Sequence, residues 1–218
     1  MTSVKKTVRK RSGPRQDHPI DFFLGFLKRP KEVGSVIPSS RFLEKRIVKS
    51  ADLAHARLAV ELGPGTGGTT RAFLRRMAPD AKLLAIEINP DFVKLLERKI
   101  DDPRLIVHHG SAAEISDALA QHGLDAPDVI LSGIPFSTMD RELGMAILQS
   151  VYDSLSPDGR FVAYQFRDRV ETLGREVFGH ARVQTEVLNV PPMRVYRWDK
   201  RPFSRTNPES RTGRPRPA

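Results

Sequence analysis

Between residues 57 and 178, short apolar runs alternate with segments patterned for helix, five times in succession. RLAVEL (57–62), KLLAIEI (82–88), RLIVHH (104–109), DVILSG (128–133) and RFVAYQF (160–166) read as buried strands. The intervening stretches 67–78, 90–100, 111–122 and 139–155, and one near 169–178, read as helices. Pro90 suits a first helical position, and Pro157-Asp158-Gly159 stops the fourth helix. A helix after each strand brings the next strand back in parallel, with helices on both faces of the sheet. Two last strands, 181–190 and 193–198, are separated only by Pro191-Pro192, so they must form an antiparallel hairpin. The expected fold class is therefore α/β, a Rossmann-like seven-stranded sheet with an antiparallel final hairpin. Strand 181–190 should run parallel to the first five.

The charge is distributed unevenly. The 218-residue chain carries a net +10. Residues 1–16 hold six cations and no acid, and residues 199–218 carry a net +4. These two segments account for the whole excess, so the body between them is neutral. Both are expected to be disordered tails, because they have little to bury. Basic tails on a neutral body suit a polyanionic surface better than a groove built into the fold. There are no cysteines, which excludes disulfides, thiolate nucleophiles and Cys-ligated zinc. The chain start has no apolar signal core, and no window approaches the ~18–20 apolar residues of a spanning helix. A cytoplasmic protein, peripherally associated with the inner membrane, is the expectation.

The loop Glu61-Leu62-Gly63-Pro64-Gly65-Thr66-Gly67 leaves the first strand and enters a helix. Such glycines let the backbone turn tightly and approach a ligand. Glu87 lies 20 residues after Gly67 at the end of the second strand, where an acid commonly bonds both ribose hydroxyls of an adenosine. A dinucleotide-binding dehydrogenase is disfavoured by the Gly-x-Gly-x-Gly spacing, by Glu61 before the first glycine, and by the closing hairpin.

With ELGPGTG (61–67), IEINP (86–90), HGSA (109–112) and SGIPF (132–136) in order, each at a strand end, the chain resembles the class I S-adenosylmethionine-dependent methyltransferases. The resemblance implies S-adenosylmethionine as cofactor. The loop Glu61, Gly63, Gly65 and Gly67 would cradle its methionine portion, Glu87 would hold its ribose, Ser111 and Ala112 would frame its adenine, and Ile88 would also contact it. Ser111 replaces the Asp of many members. SGIPF stands where amino-group methyltransferases carry Asn-Pro-Pro-Tyr, so Ser132 would border the cofactor while Gly133 and Phe136 take the acceptor-side positions. A planar base amine needs the missing Asn; a flexible alkylamine needs less. The chemistry requires no metal, and His108-His109, neighbours on a strand, face opposite sides.

Residues 17–29, DHPIDFFLGFLKR, place Ile20, Phe22, Phe23, Leu24, Phe26 and Leu27 in one helical arc of roughly 200°. Beside the basic run this suits an interfacial membrane helix, with Phe22, Phe23, Phe26 and Leu27 as membrane-binding residues; a helix docked on the core wants the same pattern. The stretch 20–43 resembles the N-terminal region of bacterial phospholipid N-methyltransferases. That likeness implies stepwise methylation of phosphatidylethanolamine to phosphatidylcholine at a membrane of anionic lipids. Ser39 or Ser40 would cap the following helix and reach the cofactor carboxylate. Arg194, at the start of the last strand, would bind the lipid phosphate, with Tyr196 on the same side near the headgroup amine. The expected organisation is a tail (1–16), amphipathic helices (17–52), the methyltransferase domain (53–198) and a second tail (199–218). The alternatives are an rRNA adenine N6-dimethyltransferase and a non-catalytic membrane- or RNA-binding module. Nucleic acid is disfavoured as partner by Gly133.

Overall fold

The structure is a computed structural model that describes residues 40–200. The expected tails and the expected helix at 17–29, with Ser39 and the residues expected to bind membrane, Phe22, Phe23, Phe26 and Leu27, lie outside the described residues.

Helix α1 (Arg41–Ala51) opens the described chain. Ser40 caps it, its hydroxyl accepting the Leu43 N–H at 3.2 Å. Five strand–helix units follow: β1 (Leu58–Leu62) and α2 (Gly68–Leu74), β2 (Lys82–Glu87) and α3 (Pro90–Lys99), β3 (Leu105–His109) and α4 (Ile115–Gln121), β4 (Val129–Ser132) and α5 (Arg141–Ser154), β5 (Arg160–Gln165) and α6 (Arg169–Phe178). β6 (Arg182–Glu186) and β7 (Met193–Asp199) close the chain. The sheet order is β3-β2-β1-β4-β5-β7-β6. The first five strands pair in parallel, and β7 runs antiparallel to both β5 and β6. β6 therefore runs with the first five strands, as the hairpin argument requires.

The boundaries that differ from the sequence reading have local causes. Helix α4 starts at Ile115 rather than 111 because Ser111 competes for its own backbone. Its hydroxyl accepts the Ala113 N–H (3.2 Å) and its carbonyl the Glu114 N–H (3.0 Å). Helix α2 ends at Leu74 with tightened turns, short of the Ala78-Pro79 step that forbids continuation. β6 stops at Glu186 because the Leu188 N–H turns back to the Glu186 carboxylate at 2.9 Å.

Both sheet faces are covered, as parallel strands demand. β1 is buried at all five positions. On one face Leu43 and Ile47 of α1 and Phe73 of α2 pack over Ala59, Leu83 and Leu131. On the other, Leu148 and Val151 of α5 and Val170 and Leu173 of α6 cover Val60, Ile130 and Phe161. This sandwich holds the carboxyl ends of the parallel strands in one row, where the connecting loops can form a site.

Candidate active site

At that row of strand ends lies an open cleft. The loop after β1 supplies Gly63 and Gly65, and the end of β2 supplies Ile86, Glu87 and Ile88. The loop after β3 adds Gly110, Ser111 and Ala112, and that after β4 adds Gly133, Ile134 and Pro135. Met139, Leu143 and Ile147 form the remaining wall.

The glycine loop is left-handed at three points: Gly63, Gly65 and Gly67 have φ of 71°, 55° and 81°. Side chains rarely adopt these angles. A Cβ on Gly67 would also lie 2.7 Å from Leu96, so this glycine seats α2 against α3 and does not line the cleft. At Gly65 a Cβ would meet nothing within 4 Å, because the backbone there faces open space.

Glu87 ties the loop to β2. One carboxylate oxygen accepts the Gly65 N–H at 3.0 Å, and the other accepts the Asn89 N–H at 2.9 Å. Burial pushes its carboxyl above the ordinary value, and these two bonds offset part of that. Glu61 is fully buried behind the loop. Its Oε1 accepts the Thr69 hydroxyl at 2.6 Å, while Oε2 is buried with no hydrogen-bond partner among the described residues. Desolvation pushes Glu61 up to about 7. Glu61 does not itself line the cleft; its unpaired oxygen lies behind the glycine loop, where negative charge favours a cationic group on the ligand side.

The comparisons with known proteins identify the ligand. A family profile described as a methyltransferase domain matches residues 59–159. The chain is 32% identical over 181 residues to an ornithine lipid N-methyltransferase of Singulisphaera acidiphila, covering 81% of this chain and 94% of that one. The chain belongs to the class I S-adenosylmethionine-dependent methyltransferases. A more partial relative is a ribosomal RNA small subunit methyltransferase A of Laribacter hongkongensis, 27% identical over 49% of this chain and 39% of that protein. Among solved structures, the fold is shared with the Burkholderia thailandensis 1,6-didemethyltoxoflavin-N1-methyltransferase bound to S-adenosylhomocysteine. That match has a TM-score of 0.61 and 15% identity, over 87% of this chain and 93% of the other.

S-adenosylmethionine is the cofactor of this methyltransferase, and the residues present fit it. The unpaired Glu61 oxygen suits the methionine ammonium, and the open space before Gly65 suits close approach of the ligand backbone. Glu87, lining the cleft with lone pairs still available, suits a ribose diol. The Ser111 and Ala112 backbone with apolar Ile88, Met139 and Leu143 suits a flat heterocycle.

Of the positions singled out from the sequence, Gly63, Gly65, Glu87, Ile88, Ser111, Ala112 and Gly133 line the cleft. Ser132 lies just behind it, its hydroxyl accepting the Ile134 N–H at 3.3 Å. Ser40 is not part of the cleft wall. Its N–H donates to the Asn189 carboxamide at 2.9 Å, so capping and anchoring account for it.

Phe136 needs correction as an acceptor-side ring. It is fully buried in the core and is not part of the cleft wall; Ile134 and Pro135 of the same motif are. Tyr196 needs the same correction. It does share a strand face with Arg194, but it is 1% exposed within the core, too deep to meet a headgroup. Arg194 lies exposed at the rim, 3.8 Å from the Asp168 carboxylate. His108 and His109 do face apart. His108 Nδ1 lies 3.2 Å from His122 Nε2, and His109 Nε2 lies 3.2 Å from the Ile88 carbonyl.

Sequence reasoning missed the apolar wall of Met139, Leu143 and Ile147. Leu143 and Ile147, four apart, share one face of α5, a signal that was present but reads equally as core, while Met139 joins them from the extended residue just before the Asp140 cap. It also missed Gln165, whose side-chain amide donates to the Ile134 carbonyl at 2.6 Å and so fixes the acceptor loop.

Proposed function

We propose that this methyltransferase acts on the headgroup amine of a membrane lipid, converting phosphatidylethanolamine through its mono- and dimethyl derivatives to phosphatidylcholine. The observation that carries this reading is the acceptor wall at Gly133. Nothing projects from that position, and a side chain there would need Tyr164 to give way. A Cβ there would lie 2.6 Å from the Tyr164 hydroxyl and 3.0 Å from its ring. Gly133 therefore offers no carboxamide clamp for a planar base amine, while a flexible primary amine needs no such clamp. The similarity to an ornithine lipid N-methyltransferase over most of both chains supports the same acceptor class.

The bound cofactor supplies an activated methyl on a sulfonium. What this chain supplies is placement and dryness. The Gly63–Gly67 loop and Glu87 fix the donor end, and Gln165 fixes the Ile134 carbonyl beside the acceptor position. The apolar wall of Ile134, Pro135, Met139, Leu143 and Ile147 excludes water.

Incubation with methyl-labelled S-adenosylmethionine and three acceptors tests the reading: phosphatidylethanolamine vesicles, ornithine-lipid vesicles and ribosomal RNA. Label in mono-, di- and trimethylated phosphatidylethanolamine is the expected result. Label in ornithine lipid alone would change the lipid, and label in RNA alone would overturn the acceptor class.

A further inference from the structure

The turn between β6 and β7 has its polarity inverted. Glu186 and Asn189 are 4% and 3% exposed, whereas Val187, Leu188 and Val190 are 68%, 60% and 83% exposed. The inversion is built in. The Glu186 carboxylate accepts the Leu188 N–H and pairs with Arg46 at 2.9 Å. The Asn189 carboxamide accepts the Ser40 N–H and donates to the Pro191 carbonyl, both at 2.9 Å. Buried polar groups so satisfied cost little, and they hold the apolar side chains outward.

Topology gives this turn its place. β6 runs with the parallel strands, so its carboxyl end opens at the same edge of the sheet as the cofactor cleft. Phe166 follows Gln165, which pairs with Arg194 at the start of β7, and is 55% exposed. Arg167, Arg169 and Arg194 are exposed beside it, with the exposed Asp168 among them 3.8 Å from Arg194, and Arg41 is exposed next to Ser40 on the other flank, so cations outnumber acids four to one among these side chains.

We propose that this rim is a docking surface that inserts Leu188 and Val190 into the interfacial region of an anionic phospholipid bilayer. The inference rests on the reading that the acceptor is a membrane lipid. Apolar tips set among arginines match a surface whose apolar interior lies beneath anionic headgroups. A second copy would bring the same cations against themselves across a two-fold axis, and RNA would leave the apolar tips wet. Docked this way, the cleft edge faces the leaflet that holds the amine.

The test uses the full chain and its L188D/V190D variant, both checked by circular dichroism. Binding is measured by co-sedimentation with phosphatidylglycerol–phosphatidylethanolamine vesicles. Turnover is measured on those vesicles and on short-chain phosphatidylethanolamine dissolved as monomer. The variant is expected to lose vesicle affinity by about tenfold or more, with vesicle turnover falling alongside and monomer turnover unchanged. Unchanged vesicle binding overturns the proposal. So does an equal loss on monomer, which would seat another part of this chain on the turn, or dissociation of a dimer, which would seat a second copy there. If the wild-type chain methylates neither lipid while the variant still loses vesicle binding, the docking surface stands and the lipid-acceptor reading falls.

Discussion

Gly133 and Tyr164 occupy complementary space: the hydroxyl of Tyr164 lies 2.6 Å from where a Cβ on residue 133 would stand. The phenol is buried and its pKa is pushed up by desolvation and by the nearby Glu61, so it remains neutral. Gly133→Ala is expected to destabilise the fold by about 1–3 kcal/mol, an ordinary overpacking cost. Tyr164→Phe removes the closest atom and should recover part of that loss. A double-mutant cycle in urea would show the coupling, and strictly additive effects would refute the contact.

Glu87→Gln is expected to weaken S-adenosylhomocysteine binding about 100-fold, roughly 2.7 kcal/mol, because it removes the charge that strengthens bonds to hydroxyls. Isothermal calorimetry on the folded variant measures this. Unchanged affinity would remove Glu87 from the ribose position.

Glu61 predicts a pH dependence. Its carboxyl titrates near 7 in the folded chain, against an ordinary 4.5. Between those values the folded chain holds a proton that the unfolded chain has released. Stability from this group is therefore highest at low pH and falls as pH rises towards 7, by on the order of 2–3 kcal/mol. Glu61→Gln should melt like the wild type at pH 4 and higher than it at pH 8. Affinity for a cofactor carrying an ammonium should rise with pH in the wild type and stay flat in the variant.

Arg194 and the N-terminal segment make separate predictions about lipid. Arg194→Lys should raise the apparent KM for lipid with S-adenosylhomocysteine affinity unchanged, since lysine lacks the bidentate fork and Asp168 is only a loose partner at 3.8 Å. Replacing Lys5, Lys6, Arg9, Lys10, Arg11 and Arg15 by Gln in the full chain should reduce the salt-sensitive part of vesicle binding. Replacing Phe22, Phe23 and Phe26 by Ser should reduce the salt-resistant part, leaving the share carried by Leu188 and Val190. Co-sedimentation at low and high salt separates the two, and a Phe-to-Ser variant that binds vesicles normally would return that segment to the core.

The parts of the site that could be read from the chain are those set by local order. Glu61, the glycines and Glu87 sit at strand ends, and a strand end is visible wherever an apolar run meets Gly or Asn-Pro. Side-chain depth is not local. Arg194 and Tyr196 do share one face of β7, but only the helix packed over that face decides that one is at the rim and the other in the core. Phe136 is similar: its motif position was legible, but its burial among α5 and α6 was not. The Tyr164–Gly133 contact lay in between. It follows once β4 and β5 are known to be neighbours with Ser132 opposite Ala163, a register that no single segment specifies.

The described body has two distinct poles. Ser40 is bonded to Asn189 at the cleft edge, while the Lys200 backbone is bonded to Gly159 ahead of β5, at the far edge of the sheet. A bulky fusion partner attached after residue 200 would therefore start from the side turned away from the cleft. The same fusion placed just ahead of Ser40 would start beside it. For immobilisation or fluorescent labelling, the C-terminal side is the attachment that starts away from the cleft.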